Sequence, residues 1–408
     1  MVRSMGTELL AFSEARRIML DMVNVLPSEH VTLRRAGGRV LSKAIIATEP
    51  WPRFDHSTMD GYAIATSSLE GNGPFMLKVR GESAAGAPFL GTMGNSACRI
   101  FTGAPLPDGS DAVIAQERVQ REGSQIRFDD APKSGAFVRR CGEDLRAGAV
   151  ALGARTRLTP GASVLAAMVD GHVVTVSRAP KIALLPTGNE LYPLGSKTPF
   201  GVPESISYGI SALAAQACAD VRVHAIVPDN LDATADALGC AFDQADLVVT
   251  IGGVSVGDHD HVRSALTRAG ASLGFYRVAI KPGKPLAFGK RGEKLFVGLP
   301  GNPSSAMVTF ALFVMPLLRA MQGDVSPFGP QTRARLARAV PRTTDRLEVA
   351  RASFQCGDDG VLEATAHPQQ ASGAATSLAA SDGLVLVPPG EQEAPAGLIV
   401  DAQRWVDL

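Results

Sequence analysis

Between residues 180 and 321 short aliphatic runs alternate with longer helix-like stretches, and this rhythm limits the fold more than any other feature. Residues 181–185 read as a buried strand, 205–219 as a helix, 221–227 as a strand and 231–245 as a helix. A strand at 247–251 and a helix at about 261–269 follow, then strands at 275–280 and 294–297 and a last helix from Pro303. Such alternation predicts a mainly parallel sheet covered by helices on both faces. In an open sheet of this kind, ligands gather beyond the carboxyl ends of the strands.

The flanking segments have a different texture. Residues 8–26 place Leu9, Phe12, Ala15, Met19 and Met22 near one stripe, as an amphipathic helix does. Residues 28–145 are rich in Gly and Pro, with strand-like runs at 76–79 and 112–116, and read as β-rich with long loops. Residues 146–178 turn back towards helix, with Pro160 suited to a first helical turn before Val164, Leu165 and Met168. Beyond residue 330, short strands at 347–354, 384–387 and 398–400 predict a small β-domain, with a loop at 371–381. A chain of 408 residues exceeds one ordinary core, so roughly two to four units are expected.

Bulk properties remove several function classes. Hydrophobic residues make up 45% and charged residues 20%, as in globular rather than disordered proteins. Lys plus Arg equals Asp plus Glu, 40 against 40, so no nucleic-acid partner is expected. The five cysteines form no CxxC pair, which suits a reducing compartment. Leu9-Leu10-Ala11-Phe12 is too short for a signal peptide. The longest apolar stretch, 307–318, is interrupted by Pro316 and falls short of the ~20 residues of a membrane span. The expectation is a cytoplasmic protein with no membrane partner.

Three loops leave strand ends of the α/β segment with suggestive chemistry. They are Pro186-Thr187-Gly188-Asn189-Glu190, residues 252–260 (Gly-Gly-Val-Ser-Val-Gly-Asp-His-Asp), and residues 298–305 (Gly-Leu-Pro-Gly-Asn-Pro-Ser-Ser), which open a helix. Glycines let backbone N–H groups approach an anion, and a helix N-terminus adds a favourable dipole. Equally, these are tight turns with Ser304 or Ser305 as an ordinary N-cap. Lys281-Pro282-Gly283-Lys284-Pro285 is more pointed, because two prolines stiffen a loop carrying two anion-attracting lysines directly after a strand. Asp55, Asp60, Asp144, Glu190, Asp229, Asp258 and Asp260 punctuate the loops. Magnesium bridges one or two carboxylates to phosphates, whereas lone loop aspartates usually make turns.

Other chemical templates fit the sequence less well. His259-Asp260-His261 could bind a transition metal, but on a helix the three would not share a face. Gly253-Val254-Ser255-Val256-Gly257 matches the nucleophile elbow of serine hydrolases, yet only His367 lies well beyond it, in the β-domain. Asp258 after Gly257 excludes a Walker loop.

Seven ordered motifs together resemble one family. They are Asp-x-Ser-x-Met-Asp-Gly-Tyr-Ala (55–63), Thr-Gly-Ala-Pro-x-Pro (102–107), Gly-Glu-Asp (142–144), Pro-Thr-Gly-Asn-Glu-Leu (186–191), Gly-Gly-Val-Ser-x-Gly (252–257), Lys-Pro-Gly-Lys-Pro (281–285) and Leu-Pro-Gly-Asn-Pro (299–303). The chain is similar to the MoeA and gephyrin E-domain family of molybdopterin molybdenumtransferases. The resemblance implies a multidomain α/β plus β protein. An elongated helical domain would come from 1–27 with 146–178, and a β-rich domain (28–145) would be inserted in it. A MogA-like α/β/α domain (179–325) and a C-terminal β-barrel (326–408) would follow. It also implies a homodimer with a shared cleft, insertion of molybdate into adenylylated molybdopterin with magnesium, release of AMP, and other molybdenum cofactor biosynthesis proteins as partners.

Carried over by motif, the implied catalytic positions are Asp60, Thr102, Asp144, Glu190, Asp229 and Asp260, with Glu190 and Asp260 holding magnesium. Gly252, Gly253, Ser255, Lys281, Lys284, Pro300, Gly301, Asn302, Pro303 and Ser305 would contact the substrates. Asp60 and Thr102 would reach in from the partner subunit. The chain departs from the family at Glu204-Ser205-Ile206, where Asp-Ser-Asn is frequent, at Ser304-Ser305 in place of Val-Ser, and at Asp382 in place of an asparagine. A scaffold that binds molybdopterin without catalysis is the alternative.

Overall fold

The structure is a computed structural model that describes residues 9–254 and 262–407. It divides into two compact units: one of residues 1–43, 154–160 and 173–408, the other of residues 44–153 and 161–172.

At the centre of the first unit lies a six-stranded sheet. Its spatial order is Asp220–Val223, Lys181–Pro186, Leu247–Ile251, Lys294–Leu299, Ala287–Arg291, Ser272–Tyr276. The first four strands are parallel, and Ala287–Arg291 runs antiparallel to both of its neighbours. Alternate residues of each central strand feed opposite cores, because successive side chains leave opposite faces. Ile182, Leu184, Leu247, Val249, Leu295 and Val297 face the helices Ile206–Gln216, Pro303–Thr309 and Phe12–Asp21. Ala183, Leu185, Val248 and Phe296 face the helices Leu231–Gln244 and Val262–Arg268.

Two departures from the sequence reading lie within this sheet. Ala287–Arg291 is a strand that its glycine disguised: a Cβ on Gly289 would sit 2.4 Å from the Ser272 carbonyl oxygen, so only glycine allows that close pairing. The strand expected at 275–280 is two strands, Ser272–Tyr276 in this sheet and Ile280–Lys281 in the C-terminal one.

The segment interrupted by Pro316 is a continuous helical rod. A π-helical stretch, Phe310–Val314, immediately precedes Met315–Met321 and accommodates the missing proline N–H. Residues Pro303–Met321 are apolar enough to cross a membrane, but 89% of the window is buried inside the protein, as befits a core helix.

Residues 173–178, expected to be helical, begin instead as the strand Val173–Ser177, antiparallel to Ser28–Thr32. Its β-branched Val173-Val174-Thr175-Val176 run disfavours helix. The C-terminal sheet closes on itself through the strands Leu347–Cys356, Leu362–Ala366, Thr332–Leu336, Ile399–Arg404 and Gly383–Val387, forming a small barrel to which Ile280–Lys281 adds in parallel.

The second unit is built on another six-stranded sheet, in the order Ala112–Ala115, Gly61–Ile64, Ser96–Ile100, Phe75–Ser83, Gln125–Phe128, Gln120–Glu122. Gly61 passes so close to its neighbour that a Cβ would fall 1.9 Å from the Ile114 carbonyl oxygen.

Asp246 locks the amino ends of three parallel strands. Its carboxylate accepts two hydrogen bonds from Arg178, both 2.9 Å, and one from the Lys181 N–H at 2.9 Å. Its own N–H and C=O pair with Lys181 and Leu295. Burial alone would raise its pKa, but Arg178 and the Lys181 amide hold it below the ordinary value. A depressed carboxylate contributes stability above its unfolded pKa and loses it as pH falls through the folded value. Asp246→Asn is therefore expected to destabilise the first unit by about 3 kcal/mol at neutral pH, read from urea denaturation. The gap between wild type and variant should close as pH drops below about 4.

Candidate functional site

Pro186, Ile251 and Leu299 stand side by side in the register of the parallel sheet, so three strands end at one level. The ladder continues one step into the loops: the Thr187 N–H donates to the Ile251 carbonyl at 3.0 Å and the Gly252 N–H to the Leu299 carbonyl at 2.9 Å. Gly252 then adopts φ +95°, and a Cβ there would lie 2.8 Å from the Thr187 carbonyl oxygen. Gly253 has φ +67°, and its Cβ would strike Val262 at 2.7 Å. A Cβ on Gly301 would lie 3.5 Å from the Gly252 Cα, so the two glycine loops pass in near contact. Backbone thus forms the floor of a cavity of about 430 Å³ at the carboxyl ends of the strands.

Three acidic residues line this cavity, and two of them, Glu190 and Asp229, sit on the loops that leave the strands. Glu190 follows Gly188, whose φ of +149° and missing Cβ leave room for the carboxylate; a Cβ would come within 2.6 Å of it. Asp229 is fixed by reciprocal bonds: the Asn189 N–H donates to its carboxylate at 3.2 Å, and its own N–H donates to the Asn189 side-chain oxygen at 3.1 Å. The wall beyond contains Glu204, Ser205 and Ile206. Glu204 is buried and accepts from the Ser207 N–H at 3.0 Å and the Ser207 hydroxyl at 2.5 Å, capping the helix Ile206–Gln216. The acid at 204 is therefore a helix cap, and Ile206 presents an apolar side chain to the cavity.

On the far side, Pro300, Gly301, Asn302 and Pro303 line the cavity at the start of the core helix. Asn302 occupies the N-cap position without a side-chain capping bond, and Pro303 begins the helix. Among the described residues no acceptor takes the Gly301 or Asn302 N–H. Ser304 and Ser305 are not caps: both are buried in the first turn, Ser304 donating to the Ala374 carbonyl at 3.1 Å, and neither lines the cavity.

The lysine loop differs from its expected placement. It follows the barrel-paired strand Ile280–Lys281, not a strand of the α/β sheet. Lys281 pairs with Glu348 at 3.2 Å, Lys284 is exposed, and of this loop Pro285 reaches the cavity wall. Thr187, Leu191, Val202, Pro203 and Val254 also line the cavity without having been singled out as contacts. Ser255 and Asp260, and with them the His259-Asp260-His261 group, lie outside the described residues.

Asp60, Thr102 and Asp144 belong to the second unit. Asp60 accepts from the Thr102 N–H and hydroxyl, each at 2.8 Å, and these bonds hold its pKa below the ordinary value. Asp144 is bound by Arg139. Asp55 is held by Arg140 at 2.6 Å and the Cys141 N–H at 2.7 Å; burial would raise its pKa, but the Cys141 and Arg140 hydrogen bonds prevail and lower it. Asp229 in the first unit and Asp55 and Asp60 in the second are thus ordered by backbone amides rather than left as free loop charges.

Among the described residues no group of three or more His, Cys, Asp or Glu side chains is arranged to hold a metal on its own. Glu190 and Asp229 on one cavity are nonetheless a donor set of the kind magnesium uses, since it takes one or two carboxylates and completes its shell with phosphate oxygens and water.

Three family models match the chain in order: MoeA N-terminal region (domain I and II) at 10–169, probable molybdopterin binding domain at 183–320, and MoeA C-terminal region (domain IV) at 333–405. A molybdopterin molybdenumtransferase of Haemophilus influenzae is 37% identical over 360 residues, covering 87% of this chain and 88% of its own. One from Nostoc sp. is 32% identical over 404 residues, covering 94% and 91%. The crystal structure of the molybdopterin biosynthesis moeA protein from Pyrococcus horikoshii OT3 superposes with a TM-score of 0.84 at 27% identity, covering 97% and 99%. With the doubled core, the closed C-terminal barrel and these matches in hand, the chain belongs to the MoeA family of molybdopterin molybdenumtransferases.

Proposed function

We propose that this protein inserts molybdate into adenylylated molybdopterin, releasing AMP, as the transferase step of molybdenum cofactor biosynthesis. The observation that carries the reading is the cavity at the strand ends, which combines near-touching glycine loops, two unclaimed amides at a helix start and two carboxylates. Its substrates are anions, and amides at a helix N-terminus stabilise anionic oxygen without reorganising. The relatives' names supply the reaction class.

In this reading the Gly253, Gly301 and Asn302 amides hold the phosphate oxygens. Two carboxylates beside a pyrophosphate would repel it without a counter-cation, so Glu190, with Asp229 nearby and Asp260 as the family's second ligand, is the position for magnesium. Magnesium held there supplies positive charge to the phosphate oxygens. Ile206 gives the wall an apolar contact where relatives often carry an amide. Ser255 is a further anion contact in this proposal, whereas Lys281, Lys284 and Ser305 do not line the cavity and are left out of it. Asp60, Thr102 and Asp144 are contributed by the second subunit of a homodimer. The protein acts in the cytoplasm, with other cofactor-biosynthesis proteins as partners.

The decisive assay mixes the protein with adenylylated molybdopterin, magnesium and molybdate and follows AMP. Molybdate-dependent release is expected; tight binding of the nucleotide with no release would leave only a scaffold. Glu190→Gln should lower the rate on the order of a hundredfold, with partial recovery at raised magnesium. Gly301→Ala adds a methyl at ordinary contact distance, so it should fold normally yet weaken nucleotide binding by roughly tenfold, or 1.4 kcal/mol. Asp60→Ala should abolish release while leaving nucleotide binding by the first unit within about threefold, measured by calorimetry.

A further inference from the structure

A second cavity, of about 70 Å³, lies in the first unit away from the strand ends. It is lined by Arg16 from the first helix, Arg319 near the end of the core rod, Phe328, and Gln403 from the barrel strand Ile399–Arg404. Its room is about two water molecules' share of liquid volume, enough for a small ion and far too little for a nucleotide. Arg319 stands 16 residues along the core rod from Pro303, which separates this cavity from the strand-end one by roughly 20 Å.

Among the described residues, three buried nitrogen donors that belong to lining residues have no hydrogen-bond partner: Arg16 Nε, Arg319 Nε and Gln403 Nε2. Arg319 is only 8% exposed, and its one recorded bond is from Nη2 to the Asp407 carbonyl at 3.3 Å. Arg16 lies face-on to Phe328, 3.6 Å from the ring centre, so its flat face is covered while its edge is left without a carboxylate. Gly329 keeps the space open: at φ +70° its Cβ would come within 2.3 Å of Arg319 Nη1. Asp324 and Asp407 lie near enough to offset part of the Arg319 charge, but neither forms an ion pair with it among the described residues. Asp324 is held by Arg157 at 2.7 Å, and Asp401, though in the lining, is largely exposed and faces Arg333 at 4.0 Å. Burial lowers the pKa of both arginines, that of Arg16 to about 10; at Arg319 Asp324 and Asp407 oppose the shift without cancelling it.

Buried guanidinium N–H groups are rarely left unpaired, because the lost hydration is not replaced. We infer that this cavity binds a small tetrahedral oxyanion of the sulfate, phosphate or molybdate class. Three donors on three separate elements suit a tetrahedral set of oxygens better than a flat carboxylate, and the ion would tie the first helix and the core rod to the barrel.

The test is calorimetric titration of the full chain with sulfate, inorganic phosphate, molybdate and, as a planar control, acetate. One sulfate or phosphate per chain should bind, and Gly301→Ala should leave that binding intact. Arg16→Gln, at a half-buried position, should weaken it at least tenfold. Gln403→Leu, which keeps the volume and removes the donor, should weaken it as well and stands in if the arginine variant fails to fold. A molybdate preference over phosphate would identify the metal oxyanion as the natural occupant, and the reverse would identify phosphate. The inference is overturned if neither sulfate nor phosphate binds, if acetate competes equally, or if the folded variants bind as tightly as wild type. None of these results bears on AMP release, so this inference and the proposed transferase reaction fail separately.

Discussion

The close passage of Gly252 against Gly301 is the constraint on which the rest of the site depends. Three parallel strands end level at Pro186, Ile251 and Leu299, and the chain must leave all three within a few residues. Side chains at those exits would fill the space above the sheet. With glycine at 252, 253 and 301, the exits stay flat and their amides form the cavity floor. The positive φ of Gly252 and Gly253 is affordable because the sheet beneath is rigid, buried on both faces and locked at its other end by Asp246.

That rigidity comes from simple patterning. Odd and even residues of 182–185 and 247–251 go to separate cores, so each strand is held from above and below. The core rod beginning at Pro303 then serves two purposes. The turn leading into it presents the Gly301 and Asn302 amides to the cavity, and its apolar body anchors that turn in the larger core. Function at the rod's start is therefore coupled to packing along its length, which explains why a helix apolar enough for a membrane is instead 89% buried inside the protein.

Much of the α/β core was legible in the sequence because its signals are local. The strand 247–251 is read directly from Leu-Val-Val-Thr-Ile, and the helix Leu231–Gln244 from an apolar stripe after the capping Asn230. Where reading failed, the cause was tertiary. Gly289 looks like a breaker but is required by a neighbouring backbone. Val173–Ser177 needs Ser28–Thr32, far away in sequence, to be a strand. The glycine loops and Glu190 could be nominated from spacing, since glycine followed by a helix start has few other uses. Val202 and Pro203 could not, because their place on the cavity wall depends on how separate loops fold over one another. The lysine loop misled for a related reason: its strand pairs with the barrel, a partner some sixty residues downstream that local pattern does not reveal.

The central claim is that backbone amides at the strand ends grip the substrate's anionic oxygens. Hydrogen–deuterium exchange with and without adenylylated molybdopterin tests it most directly. Protection gained at the Gly253, Gly301 and Asn302 amides is the predicted result. Nucleotide binding that leaves those amides exchanging at their free rate, with protection appearing elsewhere in the chain, would contradict the account.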